Sequence, residues 1–344
     1  PRPAAECSEL NAEMKRPTYY ILYSIAALAA LSALSSLMSG CSGSEPYPVG
    51  RLDRMIATYG SMDAAERDSA LTANAPELVA LAALTGDSLA SPSATAEAWS
   101  GSTATGFFQG AVDSVFPDLS RLESKLGQLY AAADKQGVAL PRYRVTAVTW
   151  PSYRPMALRD SVVFVALNHY LGPGYEAYSD FEPYQRALKE PGRLSADLAS
   201  GIIRSAYPYT STTGRAFEHM LYDGAVAYVQ MKLLGSRRLD RALGLTEAQV
   251  DYLEANEARL WQEFGLRPGL LYSADPADIR SIMDLGARTG FDGGRAPGGL
   301  GRYIGYSMVK SYVGEHPATP LSYLLTPAFY GYASTLVDSG YNPQ

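Results

Sequence analysis

From Thr18 to Gly40 the chain carries no charged residue, and the stretch "YYILYSIAALAALSALSSLM" within it is strongly apolar. A run of this length is removed as a secretory signal or spans a bilayer, because about 20 apolar residues cross the hydrocarbon core. Lys15 and Arg16 stand directly before the run, and the small residues Ser39 and Gly40 lie between it and Cys41. A basic start, an apolar centre and a small-residue end make a secretory signal. The globular fold therefore has to be built after the signal, and Cys7 stands ahead of it. With Cys41 the only other cysteine, the expected domain has no disulfide and no thiol chemistry.

The ending Leu-Met-Ser-Gly-Cys at 37–41 resembles the lipobox of bacterial lipoproteins, in which the cysteine is acylated and becomes the mature N-terminus. Acyl chains contribute about 0.8 kcal/mol per buried methylene, so a multiply acylated Cys41 is expected to hold the chain on a membrane. Met14 directly precedes Lys15 and is the expected start of translation, which makes residues 1–13 an upstream extension and 14–40 the signal peptide. The segment 41–50, with "SGSEPYP", reads as a flexible tether, and 51–344 as a single globular domain. Glu45 is the acid that follows Cys41 closely.

Residues 1–40 balance three acids against three bases, so the net charge of −6 belongs to the mature part. An acidic domain with no Lys/Arg cluster is a poor partner for nucleic acid. The 25 tyrosines suit carbohydrate or protein surfaces, and equally suit core edges with a wet hydroxyl.

After the tether, residues 51–135 read as helical, with Leu52, Met55, Ile56 and Tyr59 on one stripe and Leu119, Leu122, Leu126 and Leu129 on another. Between them "GDSLASPSATAEAWSGSTATG" reads as a surface loop. At 142 the pattern changes to "RYRVTAVTW", which alternates like a strand. "PSYRPMALRD" reads as a turn or loop, and "SVVFVALNHYLG" as a second strand running to Gly172, neighbour to the first. Helices are expected again over 194–207, 214–234, 246–264, 275–286 and 301–313, and near the C-terminus. The fold class is α+β, mainly helical, with a small sheet.

The three histidines, His169, His219 and His316, form no His-Glu-x-x-His motif, the spacing that aims two imidazoles and a general base at one zinc. No Gly-x-Ser-x-Gly elbow is present either. "GRAPGGLG" lacks the Lys-Ser/Thr of a phosphate loop. In "FEHMLYDGAVAYV", His219 and Asp223 are four apart on one helical face, as a metal pair or as a solvent-facing or locally bonded pair. Phe217, Leu221, Gly224, Tyr228 and Met231 recur at helical spacing and should face the core, with His219, Asp223 and Val226 on another side. Glycine 224 costs about 1 kcal/mol against alanine inside a helix, which suggests another backbone packed against that turn.

Several stretches in order resemble the GldB-like lipoproteins of the Bacteroidota, named for gliding motility. They are "VALNHYLG" (165–172) with "EAYSDFEPYQ" after it, "HMLYDGAVAYV" (219–229), "YLEANEARLW" (252–261) and "LGRYIGYSMVKSY" (300–312). Asn168 stands where that pattern has an aspartate, and Asp223 where it has a glutamate. The family in turn is similar to zincin-type peptidases, whose second helix carries a third metal ligand before a glycine. This implies a degenerate zincin-like domain, with Asp223 at the ligand position and no His-bearing first helix, since "LSADLASGIIR" has neither His nor Glu.

The resemblance implies a lipid-anchored envelope protein with no catalytic residue, cofactor or metal, working through contacts with envelope proteins in gliding motility or linked secretion machinery. Cys41 lacks the acidic cluster that marks surface export in that phylum, so the expected location is the periplasmic face of the outer membrane. A vestigial pocket is expected around His219, Asp223, Asn256, Glu257, Arg302 and Tyr306, with Arg302 paired to Asp223 or Glu257. The alternatives are a metallopeptidase-like hydrolase with unusual ligands and a glycan-binding lipoprotein.

Overall fold

The computed structural model describes residues 44–211, 213–286 and 289–344. The extension, the signal peptide and Cys41 lie outside the described residues. Strands β1 (Val49–Gly50), β2 (Arg144–Val148), β3 (Met156–Arg159) and β4 (Val162–Ala166) form one sheet in the order β1-β2-β4-β3. The first three of these neighbours are parallel, and β3 closes the edge antiparallel to β4. Val145 pairs with Val163 and Ala147 with Val165, and all four side chains enter the main core. Val148, Val162, Phe164 and Ala166 enter a second core on the opposite face. Strand β4 is buried at every position, which is why "VVFVA" is apolar without alternation.

The second core is closed by helices α1 (Leu52–Tyr59), α2 (Ala64–Ala73), α3 (Ala75–Leu84) and α4 (Pro92–Ser100), mainly through Leu52, Ile56, Tyr59, Leu78, Leu81 and Ala96. Helices α5 (Thr103–Val115) and α6 (Ser120–Gln136) lead into the sheet. Beyond it come α7 (Pro183–Ala187), α8 (Leu194–Ala206), α9 (Ala216–Leu234), α10 (Leu239–Leu243), α11 (Glu247–Ala255), α12 (Glu257–Gly265), α13 (Pro268–Tyr272) and α14 (Pro276–Met283). The last long helix is α15 (Leu300–Glu315), followed by the short α16 (Leu321–Leu324), α17 (Pro327–Tyr330) and α18 (Ser334–Asp338). The chain is mainly helical with a small mixed sheet, an α+β fold. Among the described residues no helix is long and apolar enough to cross a membrane.

Helix α9 is the axis of the main core. The expected division into a core stripe and an outer side does not hold, because Val226 is fully buried and α9 meets protein nearly all round. Its glycine explains how a second helix comes so close. A methyl group at Gly224 would overlap the backbone of Gly305 in α15, and one at Gly305 would overlap the Met220 carbonyl. The two backbones cross glycine on glycine.

Four local expectations are corrected. The Ser/Thr-rich stretch read as a loop holds α4 and the start of α5, because Ser91 and Ser102 are N-caps that accept from Ala94 and Thr105 N–H. Met156–Arg159, read as loop, is an edge strand turned into β4 at Asp160, a residue with φ of 52°. The β4 strand stops at Ala166, and a 3₁₀ turn, Leu167–His169, follows. The helix expected over 246–264 breaks at Asn256, whose side chain donates to the Tyr252 carbonyl at 2.7 Å. The described end of the expected tether is also fixed in place. Tyr47 donates to the Tyr143 carbonyl at 2.7 Å, Val49 N–H to Glu123 at 3.1 Å, and the Glu45 backbone lies against Gly127.

Candidate functional site

The parallel strands β2 and β4 end on the same side of the sheet, where ligand crevices of open α/β sheets commonly form. Asn168 ties the two ends together: its amide accepts from Trp150 N–H at 3.2 Å and donates to the Trp150 carbonyl at 2.9 Å. A carboxylate accepts only, so an amide at this position makes both bonds where an aspartate would make one.

The next residue, His169, opens a cleft of about 910 Å³. Its walls include Tyr153, Phe181, Tyr184, Lys189, Asp197 and Arg302. His169 Nε2 donates to the Ser152 carbonyl at 2.7 Å, which leaves Nδ1 as acceptor for Lys189 Nζ at 3.0 Å. Burial, and then the charge of Lys189, push the imidazole down to about 4, so it is neutral at physiological pH. Burial lowers the Lys189 ammonium to about 8. Its nitrogen also lies over the Phe181 ring, 3.9 Å from the centroid, and over Tyr178 at 4.9 Å. Across the cleft, Tyr170 donates to Asp197 at 3.1 Å. Burial raises Asp197 to about 6 against the attraction of Arg193.

The six residues expected to share one pocket are divided. Asp223 and Arg302 come together, with Arg302 Nε 3.5 Å from Asp223 Oδ2, and Arg204 of α8 binds the other carboxylate oxygen at 2.8 Å. Arg302 is anchored further by the Met283 carbonyl at 3.0 Å. His219 takes no part in this pair. Its ring lies on Tyr209, with centroids 4.3 Å apart, and burial lowers its pKa. Glu257 and Tyr306 line a separate hollow of about 610 Å³, where Glu257 accepts from Tyr303 at 3.0 Å and Tyr341 at 2.8 Å. Asn256, next to Glu257 in the chain, is not among the residues that line this hollow and accepts from Arg259 at 2.6 Å. Among the described residues no three His, Cys, Asp or Glu side chains converge as a metal site.

The family model described as gliding motility protein GldB matches residues 44–343. The chain belongs to the GldB family. No curated protein and no solved structure matches it. The family match runs from the docked tether through both cores to the last helices, so the cleft and the Asp223 cluster both lie inside the GldB domain. GldB is named for gliding motility and not for a catalysed reaction.

Sequence reasoning missed Lys189, Asp197 and the role of His169. His169 had one usable signal, its place just past the carboxyl end of a fully buried strand. Lys189 had none, because its partners are 20 residues or fewer away in sequence but joined through a loop with no regular period.

Proposed function

We propose that this GldB-family protein is a non-catalytic, lipid-anchored part of the cell envelope. Acylated Cys41 would hold it at the periplasmic face of the outer membrane, where it supports gliding motility or the linked secretion machinery by contact with other envelope proteins. The observation that carries the non-catalytic reading is the state of Asp223. Its carboxylate lies between the guanidinium groups of Arg204 and Arg302, so a metal there would have to displace two cations. In this reading the domain is a zincin-like scaffold in which arginine takes the place of the cation, and the cleft at the strand ends is where a partner docks.

The test combines anchoring, motility and metal content. Cys41→Ser should release the protein from membranes into the soluble fraction. In a deletion strain, Asp223→Asn should restore surface spreading, and envelope proteins should co-purify with the tagged wild type. Loss of spreading in Asp223→Asn at an unchanged protein level, together with stoichiometric zinc in the purified wild type, would overturn the reading in favour of a metallohydrolase.

A further inference from the structure

Lys189 is 8% exposed, yet it lines the wall of the cleft of about 910 Å³. Among the described residues its nitrogen has no carboxylate within salt-bridge distance. Its partners are a neutral imidazole and two ring faces, which orient the ammonium without neutralising it. A buried charge left in this state is costly unless a counter-charge arrives.

The neighbouring cations are already engaged. Arg193 donates to the Leu245 carbonyl at 3.0 Å and lies 4.0 Å from Asp240. Arg302 is held by Asp223 and the Met283 carbonyl.

We infer that the cleft beyond the carboxyl ends of β2 and β4 binds the carboxylate of an acidic peptide side chain, with Lys189 as its counter-charge. The inference rests on the reading of this cleft as a docking pocket and names the chemistry it selects. A carboxylate suits the site better than a phosphate. Asp180, Asp197 and Asp284 line the same cleft, and their repulsion grows with the charge of the ligand, so a singly charged group in contact with Lys189 is opposed about half as strongly as a dianion. Tyr153, Phe181 and Tyr184 offer aromatic walls for the residues on either side, and the volume falls within the ordinary range for ligand clefts.

The test is acetylation of the full chain at pH 8 with an amine-reactive reagent, read at Lys189 by mass spectrometry and normalised to the exposed Lys135. Three competitors are compared: acetyl-Tyr-Glu-Tyr-amide, acetyl-Tyr-Gln-Tyr-amide and inorganic phosphate. At twice its dissociation constant the Glu peptide should slow Lys189 labelling roughly threefold by mass action, and the Gln peptide should not. Equal slowing by both peptides, no slowing by either, or slowing by phosphate alone overturns the inference. Fluorescence anisotropy of the labelled Glu peptide gives a second measurement that needs no lysine reactivity. Its preference over the Gln peptide must disappear in Lys189→Met, and a preference that survives also overturns the inference. Failure here with co-purification of envelope partners intact sinks the carboxylate inference alone, whereas loss of co-purification sinks the docking reading beneath it.

Discussion

The crossing of α9 and α15 makes the most demanding stability prediction. At Gly305 an added methyl carbon would overlap the Met220 carbonyl and lie 3.0 Å from Met220 Cα. Carbon atoms normally approach to about 3.5–4.0 Å, and the Met220 carbonyl carbon and oxygen would lie closer still than Cα, so the helices must part by more than about one ångström. Over-packing of this kind costs about 1–3 kcal/mol, and a rigid backbone on both sides places it at the upper end. Alanine recovers about 1 kcal/mol of helix propensity, leaving Gly305→Ala destabilised by about 2 kcal/mol. Gly314, exposed in the same helix, is the internal control: nothing lies within 4 Å of an added methyl, and its φ is not positive. Gly314→Ala should gain up to about 1 kcal/mol. At roughly 2 °C per kcal/mol for a domain of this size, the two variants should melt about 6 °C apart in a calorimetric or circular-dichroism scan. Equal melting temperatures would refute the glycine-on-glycine crossing. Gly224→Ala probes the other side of the contact, and the double variant should cost less than the sum because one separation of the helices relieves both overlaps.

Other outcomes follow from single clusters. His169 titrates near 4 when folded against an ordinary 6.5, so the unfolded chain binds the extra proton between those values and stability falls as pH drops from 6.5 to 4. In urea titrations, His169→Gln should lose up to about 3 kcal/mol of that dependence, and an unchanged slope would contradict the buried neutral imidazole. Glu218 is 1% exposed and accepts from the Ser211 and Thr213 hydroxyls and from Arg215 N–H at 3.4 Å. Glu218→Ala should therefore destabilise by about 2–3 kcal/mol and speed hydrogen exchange in residues 213–216. Asp223→Asn weakens the hold on two partly exposed arginines and should cost only about 1 kcal/mol by denaturant midpoint. Phe164→Ala, in a fully buried strand position, should cost about 3–5 kcal/mol by the same measure.

The sequence by itself determined the elements whose evidence is local or periodic. The mainly helical α+β class, the two central strands, the α9 helix and the close approach at Gly224 all follow from period, propensity and the cost of glycine inside a helix. It also carried the family, because the matching stretches are short and ordered along the chain. Tertiary structure alone decided what the polar side chains meet. His219 and Asp223 share a helical face, yet one meets Tyr209 and the other meets Arg204 and Arg302, because α9 is packed on every side by different elements. In the same way Glu257 and Tyr306 went to a hollow away from Asp223, and His169 and Lys189 met across a loop. Hydrophobic period fixes which face of an element is buried, but it is the packing of several elements at once that fixes a polar group's neighbours.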